Sequence, residues 1–322
     1  MVGGLALFLY GLSRLATSMR VIAGDRMKRL VAKATTNRFA GIATGTVATA
    51  VLDSSSITII MVIAMVDAQL LTFVQSLGVI LGANIGTTVS SQIIALDVER
   101  YSPLVLVIGL AVLIFGRTEK WRHAGIATFG MGLIFFGLGQ MGMAVEPLKN
   151  DGRFAELMTR LESPLLGIAA GALTTLVIQS SSATVGIAIT LASQGLLTLP
   201  AGVAIMLGAE IGTCADTLLA TIGRSRAAVR AGIFHLTFNI TTVSIGALLL
   251  GPLTSLAVRM GGGIERQIAN AHVAFNLLGV IAVVFALSPI AKLLEKLLPS
   301  REQENTGATG ITSETLALDQ GR

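Results

Sequence analysis

The chain contains the same unit twice. Residues 41–96 open GIATGTVATAVLDSSSITII and close GANIGTTVSSQIIAL, while residues 167–222 open GIAAGALTTLVIQSSSATVG and close GAEIGTCADTLLATI. A shift of 126 positions lays one over the other without a gap, with 20 of 56 positions identical. The same shift lays GLALFLYGL at 4–12 over GMGLIFFGL at 130–138. Apolar stretches matched by chance would not reproduce SSS-x-T and GA-x-IGT at one common offset. The fold must therefore be built from two related halves.

Each unit reads as a helix (about 3–20 and 124–143), a serine-interrupted apolar stretch (about 39–66 and 165–192) and a third apolar stretch (about 74–96 and 200–222). Hydrophobic residues make up 53% of the chain, charged residues 13%, and the mean hydropathy is +0.79. That leaves too little charge to cover a soluble domain, and the long aliphatic runs exclude the short alternating strands of an outer-membrane barrel. The expectation is an all-α polytopic membrane protein. The serine-interrupted stretches are too short on either side for two full crossings, each of which needs about 20 residues. They read as re-entrant hairpins. In the third stretch, Gly-Ala-x-Ile-Gly-Thr reads as a break in the helix.

Helices at about 103–117, 231–251 and 270–290 complete a transmembrane transporter domain over 1–298. Within it, repeat 1 covers about 3–97 and repeat 2 about 124–223. Residues 299–322 are polar and read as a disordered cytoplasmic tail. The opening MVGGLALFLYGL lacks a basic leader and reads as a first membrane helix rather than a removed signal. Cys214, the single cysteine, can form no internal disulfide. The net charge of +5 sits in short loops, where it reports topology rather than a nucleic-acid partner.

Arg20, Arg26, Lys28, Arg29, Lys33 and Arg38 put the loop after the first helix in the cytoplasm, and alternation carries the bias through every later loop. The N-terminus is then outside and the C-terminus inside a bacterial cytoplasmic membrane. One crossing, at 103–117, separates the repeats, so the second copy is inverted relative to the first. Fifteen residues reach only about 22 Å, short of a ~30 Å core, so this crossing is the critical one. Inverted repeats with interrupted helices are the build of many secondary transporters, with the site near the bilayer midplane.

Two clusters carry candidate chemistry. The first is Asp53-Ser54-Ser55-Ser56-Ile57-Thr58 with its mirror Gln179-Ser180-Ser181-Ser182-Ala183-Thr184. Hydroxyls beside free amides at a helix N-terminus suit an oxyanion such as phosphate; the same oxygens with loose carbonyls equally suit Na+. A lone serine in a membrane usually serves close helix packing, but a duplicated triplet points to a ligand. The second cluster is Gly82-Ala83-Asn84-Ile85-Gly86-Thr87 with its mirror Gly208-Ala209-Glu210-Ile211-Gly212-Thr213. Its alternative reading is a tight crossing of the small-xxx-small kind. Asp53 and Glu210 cost at least about 2.5–3.5 kcal/mol deep in a membrane, which marks them as cation ligands or proton carriers. His235 with Asn239, and His272 with Asn276, lie four apart on helical faces and read as bracing pairs or as titrating groups near the site.

At these motifs the chain resembles the sodium-dependent phosphate cotransporter family over roughly residues 3–297. That family carries Gln-Ser-Ser-Ser in each of two inverted repeats, followed by Gly-Ala/Ser-Asn-Ile-Gly-Thr. The resemblance implies symport of inorganic phosphate with Na+ by alternating access. Ser54, Ser55, Ser56, Asn84, Ser180, Ser181 and Ser182 would hold the substrate. Gln179, Asp53, Thr58, Thr87, Thr184, Glu210 and Thr213 would hold sodium. Asp53 stands where the family usually has Gln and Glu210 where it has Asn, which bears on substrate and coupling. No cofactor is expected beyond sodium as the coupling ion. The expected partners are phosphate, Na+ and membrane lipid, with a homodimer admitted and no nucleic acid. The chain stops after Pro299 without the PhoU-like cytoplasmic domain of many bacterial members, so regulation through it is not expected. Competing readings are another anion, proton drive through Asp53 and Glu210, a non-transporting sensor, and an intramembrane serine hydrolase with His235 or His272 as base. The last lacks a Gly-x-Ser-x-Gly elbow.

Overall fold

A computed structural model describes residues 1–96 and 98–299. Among them every regular element is helical. The first half runs α1 Val2–Ala34, α2 Arg38–Leu52, α3 Ser55–Asp67, α4 Phe73–Ile94 and α5 Ser102–Phe115. The second runs α6 Glu119–Val145, α7 Gly152–Arg160, α8 Pro164–Ile178, α9 Ser181–Ser193, α10 Leu199–Gly212 and α11 Cys214–Leu219. The last four are α12 Arg226–Leu248, α13 Leu250–Arg259, α14 Ile264–Val284 and α15 Leu287–Leu297. Six spans among the described residues are long and apolar enough to cross a membrane: Val2–Gly24, Phe73–Ile94, Glu119–Leu148, Leu199–Leu219, Arg226–Leu248 and Ile264–Val284. The chain is a multi-pass α-helical membrane protein. The predicted tail lies outside the described residues apart from Pro299.

The predicted re-entrant stretches are helix pairs, α2–α3 and α8–α9, of 13 to 15 residues per arm. At 1.5 Å per residue an arm reaches about 20 Å. The first helix runs past its expected end to Ala34, bending at Gly24 (φ 51°, ψ −152°), a backbone setting open to glycine. The last two spans begin several residues earlier than their apolar runs suggest, at Arg226 and Ile264. Ser225 starts the first of them by accepting the Ala228 amide at 3.4 Å.

The expected break at Gly-Ala-x-Ile-Gly-Thr is corrected. α4 runs unbroken from Phe73 to Ile94. In the second copy only Thr213 separates α10 from α11, and its backbone remains helical (φ −67°, ψ −20°). The glycines serve close approach instead. A Cβ on Gly82 would lie 2.0 Å from the Ile42 carbonyl oxygen, and one on Gly45 would lie 2.1 Å from that of Val79. In the second copy Gly208 and Gly171 stand equally close to the carbonyls of Ile168 and Ile205, 2.0 Å in each case. α2 thus lies backbone to backbone on α4, and α8 on α10. In the first copy the motif is therefore ordinary helix rather than an unwound turn, and in the second the interruption is confined to Thr213.

The two first helices, α1 and α6, cross reciprocally. A Cβ on Gly4 would fall 2.8 Å from the Gly137 carbonyl oxygen, and one on Gly11 would fall 2.6 Å from that of Gly130. The shift of 126 equates Gly4 with Gly130 and Gly11 with Gly137. Each equivalent pair therefore meets the other's partner, so the helices run antiparallel about a local two-fold. α5 also lies antiparallel on α6, with Gly109 over Phe129 and Leu113 over Gly125. Its 14 residues reach about 21 Å, and exposed apolar side chains such as Leu104 and Val107 cover its outer face.

α12 and α14 tie the halves together. α12 packs on hairpin arm α3 and on α10 and α11, while α14 packs on hairpin arm α9 and on α4. The apolar core divides accordingly, one part around Ile63, Leu77 and Phe234, the other around Ile189, Leu207 and Ile268. Gly82→Ala should cost about 1–3 kcal/mol by forcing α2 off α4. It should lower the thermal unfolding midpoint in detergent. Gly3→Ala, whose Cβ meets nothing within 4 Å, should leave that midpoint unchanged.

Candidate functional site

Each hairpin turns on two residues. α2 ends at Asp53 in the left-handed region (φ 52°, ψ 34°) and α8 at Gln179 in the same setting (φ 58°, ψ 33°). A left-handed residue is the usual way to stop a helix sharply; the next residue starts the return arm. Ser54 caps α3 by accepting the Ile57 amide at 3.3 Å, and Ser180 caps α9 by accepting the Ala183 amide at 3.2 Å. Buried threonines then pin the arms together. Thr49 donates to Thr58 at 2.9 Å, and Thr58 donates onward to the Ser54 carbonyl at 3.1 Å. Thr175, Thr184 and Ser180 repeat this at 2.8 and 3.2 Å.

That pinning separates the predicted site residues into two groups. Thr58 and Thr184, expected to bind sodium, have already committed their hydroxyl protons to the hairpin. Thr87 and Thr213 likewise donate to carbonyls of their own helices, those of Ala83 at 3.1 Å and Glu210 at 2.8 Å. By contrast the hydroxyls of Ser55, Ser56, Ser181 and Ser182 make no hydrogen bond among the described residues. These four occupy the first turns of α3 and α9, where backbone amides have no intrahelical partner and the helix dipole is positive. One turn away, the C-terminal carbonyls of α2 and α8 present the negative end. Each tip thus sets the positive start of one helix beside the negative end of another.

The two tips differ in surroundings. Asp53 accepts a hydrogen bond from Ser90 of α4. It borders a cleft of about 20 Å³ with Leu12, Leu15, Ile93, Met131 and Phe135, room on the scale of one water molecule. α1 and α6 therefore cover this tip. Gln179 is exposed. The 126 shift equates Asp53 with Gln179 and Ser90 with Asp216, so of this pair of positions each repeat carries one carboxylate, Asp53 at the tip in repeat 1 and Asp216 on α11 in repeat 2.

Glu210 and Asn84, equivalent under the shift, are both buried, 3% and 1% exposed. Glu210 Oε1 accepts from His272 Nε2 at 2.6 Å and from Asn276 Nδ2 at 3.1 Å. On the other side of the ring, His272 Nδ1 meets Ser91 Oγ at 2.6 Å. Serine, histidine and acid are joined as in a hydrolytic triad. Ser91, though, is wholly buried on α4 and belongs to neither triplet, so the chain braces helices. His235 is held the same way by Thr217 at 2.8 Å.

No hydrogen bond joins the two serine triplets to each other among the described residues. Each hairpin packs on its own α4 or α10, and α14 together with the α4–α9 contact links them. Sequence reasoning singled out the histidines and missed their partners Ser91 and Thr217. The signal was available, since 91 and 217 are one repeat apart. It also missed Ser90, Thr49 and Thr175. At the loop end of α3, Asp67 accepts the Ser225 amide at 2.7 Å and pairs with Arg224 at 3.3 Å. Those contacts, the Ser225 amide foremost, hold its carboxyl below the usual range. This link between the halves is present at neutral pH and is lost as pH falls through the carboxylate range.

An all-helical membrane protein carrying two copies of a serine-tipped hairpin has the build of a secondary transporter. The chain belongs to the Na+/Pi-cotransporter family, whose profile matches residues 7–143 and 146–291. It is therefore a transport protein and not an enzyme. It is similar to "Uncharacterized protein YqeW" of Bacillus subtilis (strain 168), 25% identical over 91% of this chain and 96% of that protein. It is similar to "Putative inorganic phosphate export protein YjbB" of Escherichia coli (strain K12), 23% identical over 99% of this chain. The chain spans 59% of the length of YjbB. A 65-residue stretch, 20% of this chain and 9% of its counterpart, is 40% identical to "Sodium-dependent phosphate transport protein 2B" of Homo sapiens. No solved structure matches.

Thr175→Val should cost about 1 kcal/mol by removing the inter-arm hydrogen bond in a buried setting. Thr49→Val should cost a similar amount. Both would be read as thermal midpoints of the purified protein.

Proposed function

We propose that the protein moves inorganic phosphate across the bacterial cytoplasmic membrane together with Na+, by alternating access of two inverted repeats within residues 1–298. The observation that carries the reading is the twin hairpin tip. At each tip two serines with uncommitted hydroxyls head a helix, directly beside the carbonyl end of another. Phosphate would take the amides and hydroxyls of Ser54–Ser56 and Ser180–Ser182. Sodium would take the carbonyl ends with Gln179 and Asp53. Asn84, Thr58, Thr87, Thr184, Glu210 and Thr213 would support the two sites from the surrounding helices. Family membership and the printed names of the relatives support phosphate as cargo. The antiparallel reciprocal crossing of α1 and α6 supports the inversion, since a repeat that crosses twice returns to its starting side and its copy is inverted only if an odd number of crossings separates the two repeats. α5 supplies that crossing, and the basic loops place the N-terminus outside.

Direction follows the gradients. A symporter runs inward on an inward Na+ gradient and outward when phosphate is high inside, so a relative called an export protein is compatible with the same machinery. Asp53 and Glu210 support a second reading, in which protons replace sodium. Both are buried or covered carboxylates that already accept hydrogen bonds, from Ser90 and from His272.

Proteoliposomes separate these readings. Labelled phosphate uptake should rise when an inward Na+ gradient is imposed and should not respond to a pH gradient alone. Equal uptake with and without Na+ rejects sodium coupling, and stimulation by a proton gradient selects the second reading. Ser181→Ala should weaken phosphate binding roughly tenfold, the scale of one hydrogen bond to a charged ligand. The thermal midpoint of the empty protein should stay within a degree or so of wild type, because that hydroxyl bonds nothing in the structure.

A further inference from the structure

The buried cluster around Glu210 has a twin. The shift of 126 equates Glu210 with Asn84 and Thr217 with Ser91, and a shift of 37 equates His272 with His235 and Asn276 with Asn239. The geometry keeps these equivalences. His272 meets Ser91 at 2.6 Å and His235 meets Thr217 at 2.8 Å. Asn276 donates to the His272 carbonyl at 3.2 Å and Asn239 to the His235 carbonyl at 3.1 Å. The clusters differ in one respect. The first is closed by Glu210 Oε1, which receives two N–H groups. In the second, Asn84 Nδ2, His235 Nε2 and Asn239 Oδ1 are all buried without a hydrogen-bond partner among the described residues.

The unpaired atoms are chemically complementary. Thr217 Oγ1 stands 3.0 Å from the Cys214 carbonyl, which can only accept; with the hydroxyl proton given there, His235 donates from Nδ1 and leaves the lone pair on Nε2 unused. Asn239 Oδ1 is a second acceptor. The Asn84 amide carries two protons, one for each. The closed cluster has one acceptor and two donors, and the open one has one donor group and two acceptors. Native interiors rarely leave such a set apart without a reason.

We infer that His235, Asn239, His272 and Asn276 are positioning residues for the transport cycle. In the state described here the histidine and asparagine of α14 hydrogen-bond both repeats, Ser91 of the first and Glu210 of the second, while those of α12, which packs on both repeats, hydrogen-bond only Thr217 of the second. In the state open to the opposite side, Asn84 closes on His235 and Asn239, and Glu210 leaves His272 and Asn276. The two late helices thus exchange which of them clamps both halves. Coverage of the tips agrees with one closed half, since Asp53 lies under α1 and α6 while Gln179 is exposed. The inference rests on the alternating-access reading.

The test uses mirror variants. Ile93→Cys and Leu219→Cys, one repeat apart, report the two ends; Leu219 is 64% exposed and Ile93 half-buried, and the native Cys214 is buried. Maleimide labelling rates at these two thiols in proteoliposomes give a ratio for the full chain. Asn239→Leu should stabilise the present state and move the ratio toward Leu219 by roughly tenfold, with no loss of thermal stability. Asn276→Leu, identical in its local bond, should move it the other way by a similar factor, and Glu210→Gln should follow Asn276→Leu should that variant not fold. Bracing alone predicts that both asparagine variants lower the thermal midpoint and leave the ratio alone. An unmoved ratio, or movement in the same direction for both, overturns the inference. If wild-type protein moves no phosphate, the transport reading falls, and the labelling ratio still decides whether the clusters exchange.

Discussion

Inside a bilayer a backbone amide or carbonyl without a partner costs several kcal/mol, and each of the two hairpin turns ends one helix and starts another, which creates such groups. Much of the surrounding structure serves to keep them there. Left-handed Asp53 and Gln179 end one arm, Ser54 and Ser180 start the next, and the pairs Thr49–Thr58 and Thr175–Thr184 lock the arms at 2.8–2.9 Å. What remains unpaired is a small set of amides, carbonyls and serine hydroxyls. An ion stripped of its hydration shell needs groups of this kind, so under the proposed function the cost of the turn would become a binding surface.

Close packing is what makes the turn tolerable. Arms of about 20 Å cannot span the membrane, so they need a full-length helix to lie against. The carbonyl contacts at Gly45, Gly82, Gly171 and Gly208 bring α2 onto α4 and α8 onto α10 with no side chain between them. Two rigid hairpin-plus-helix units result. They are joined by the reciprocal glycine crossing of α1 and α6 and by the buried histidines of α12 and α14. Rigid units linked through a few polar contacts are suited to rocking, because the polar contacts have alternative partners and the glycine seams do not.

The carboxylates divide between these two structures. Asp53 sits at a tip, within reach of an ion. Glu210 sits in the seam, where its first oxygen is taken by His272 and Asn276. Their equal standing in the sequence, each a departure from the usual family residue, conceals different work. One accepts a hydrogen bond at a hairpin tip, and the other joins α10 to α14.

The duplicated motifs, the apolar runs and the lengths between serines are local properties. They sufficed for the helical membrane fold, the hairpins, the family and the serine tips. The Gly-Ala-x-Ile-Gly-Thr stretch was misjudged because glycine spacing permits both an unwound turn and a close crossing. Only the presence of Ile42 and Val79 carbonyls across the seam selects the crossing. Ser91 and Thr217 stand one repeat apart, but nothing in the sequence names their partners, which α14 and α12 bring against them; Ser90 likewise is an ordinary small hydroxyl residue until α2 brings Asp53 to it. The amino-acid order by itself determined what is repeated and which groups each turn exposes. Tertiary packing decided which of those groups are spent on holding the helices together and which are left without a partner, because partner choice depends on distances between segments far apart in the chain.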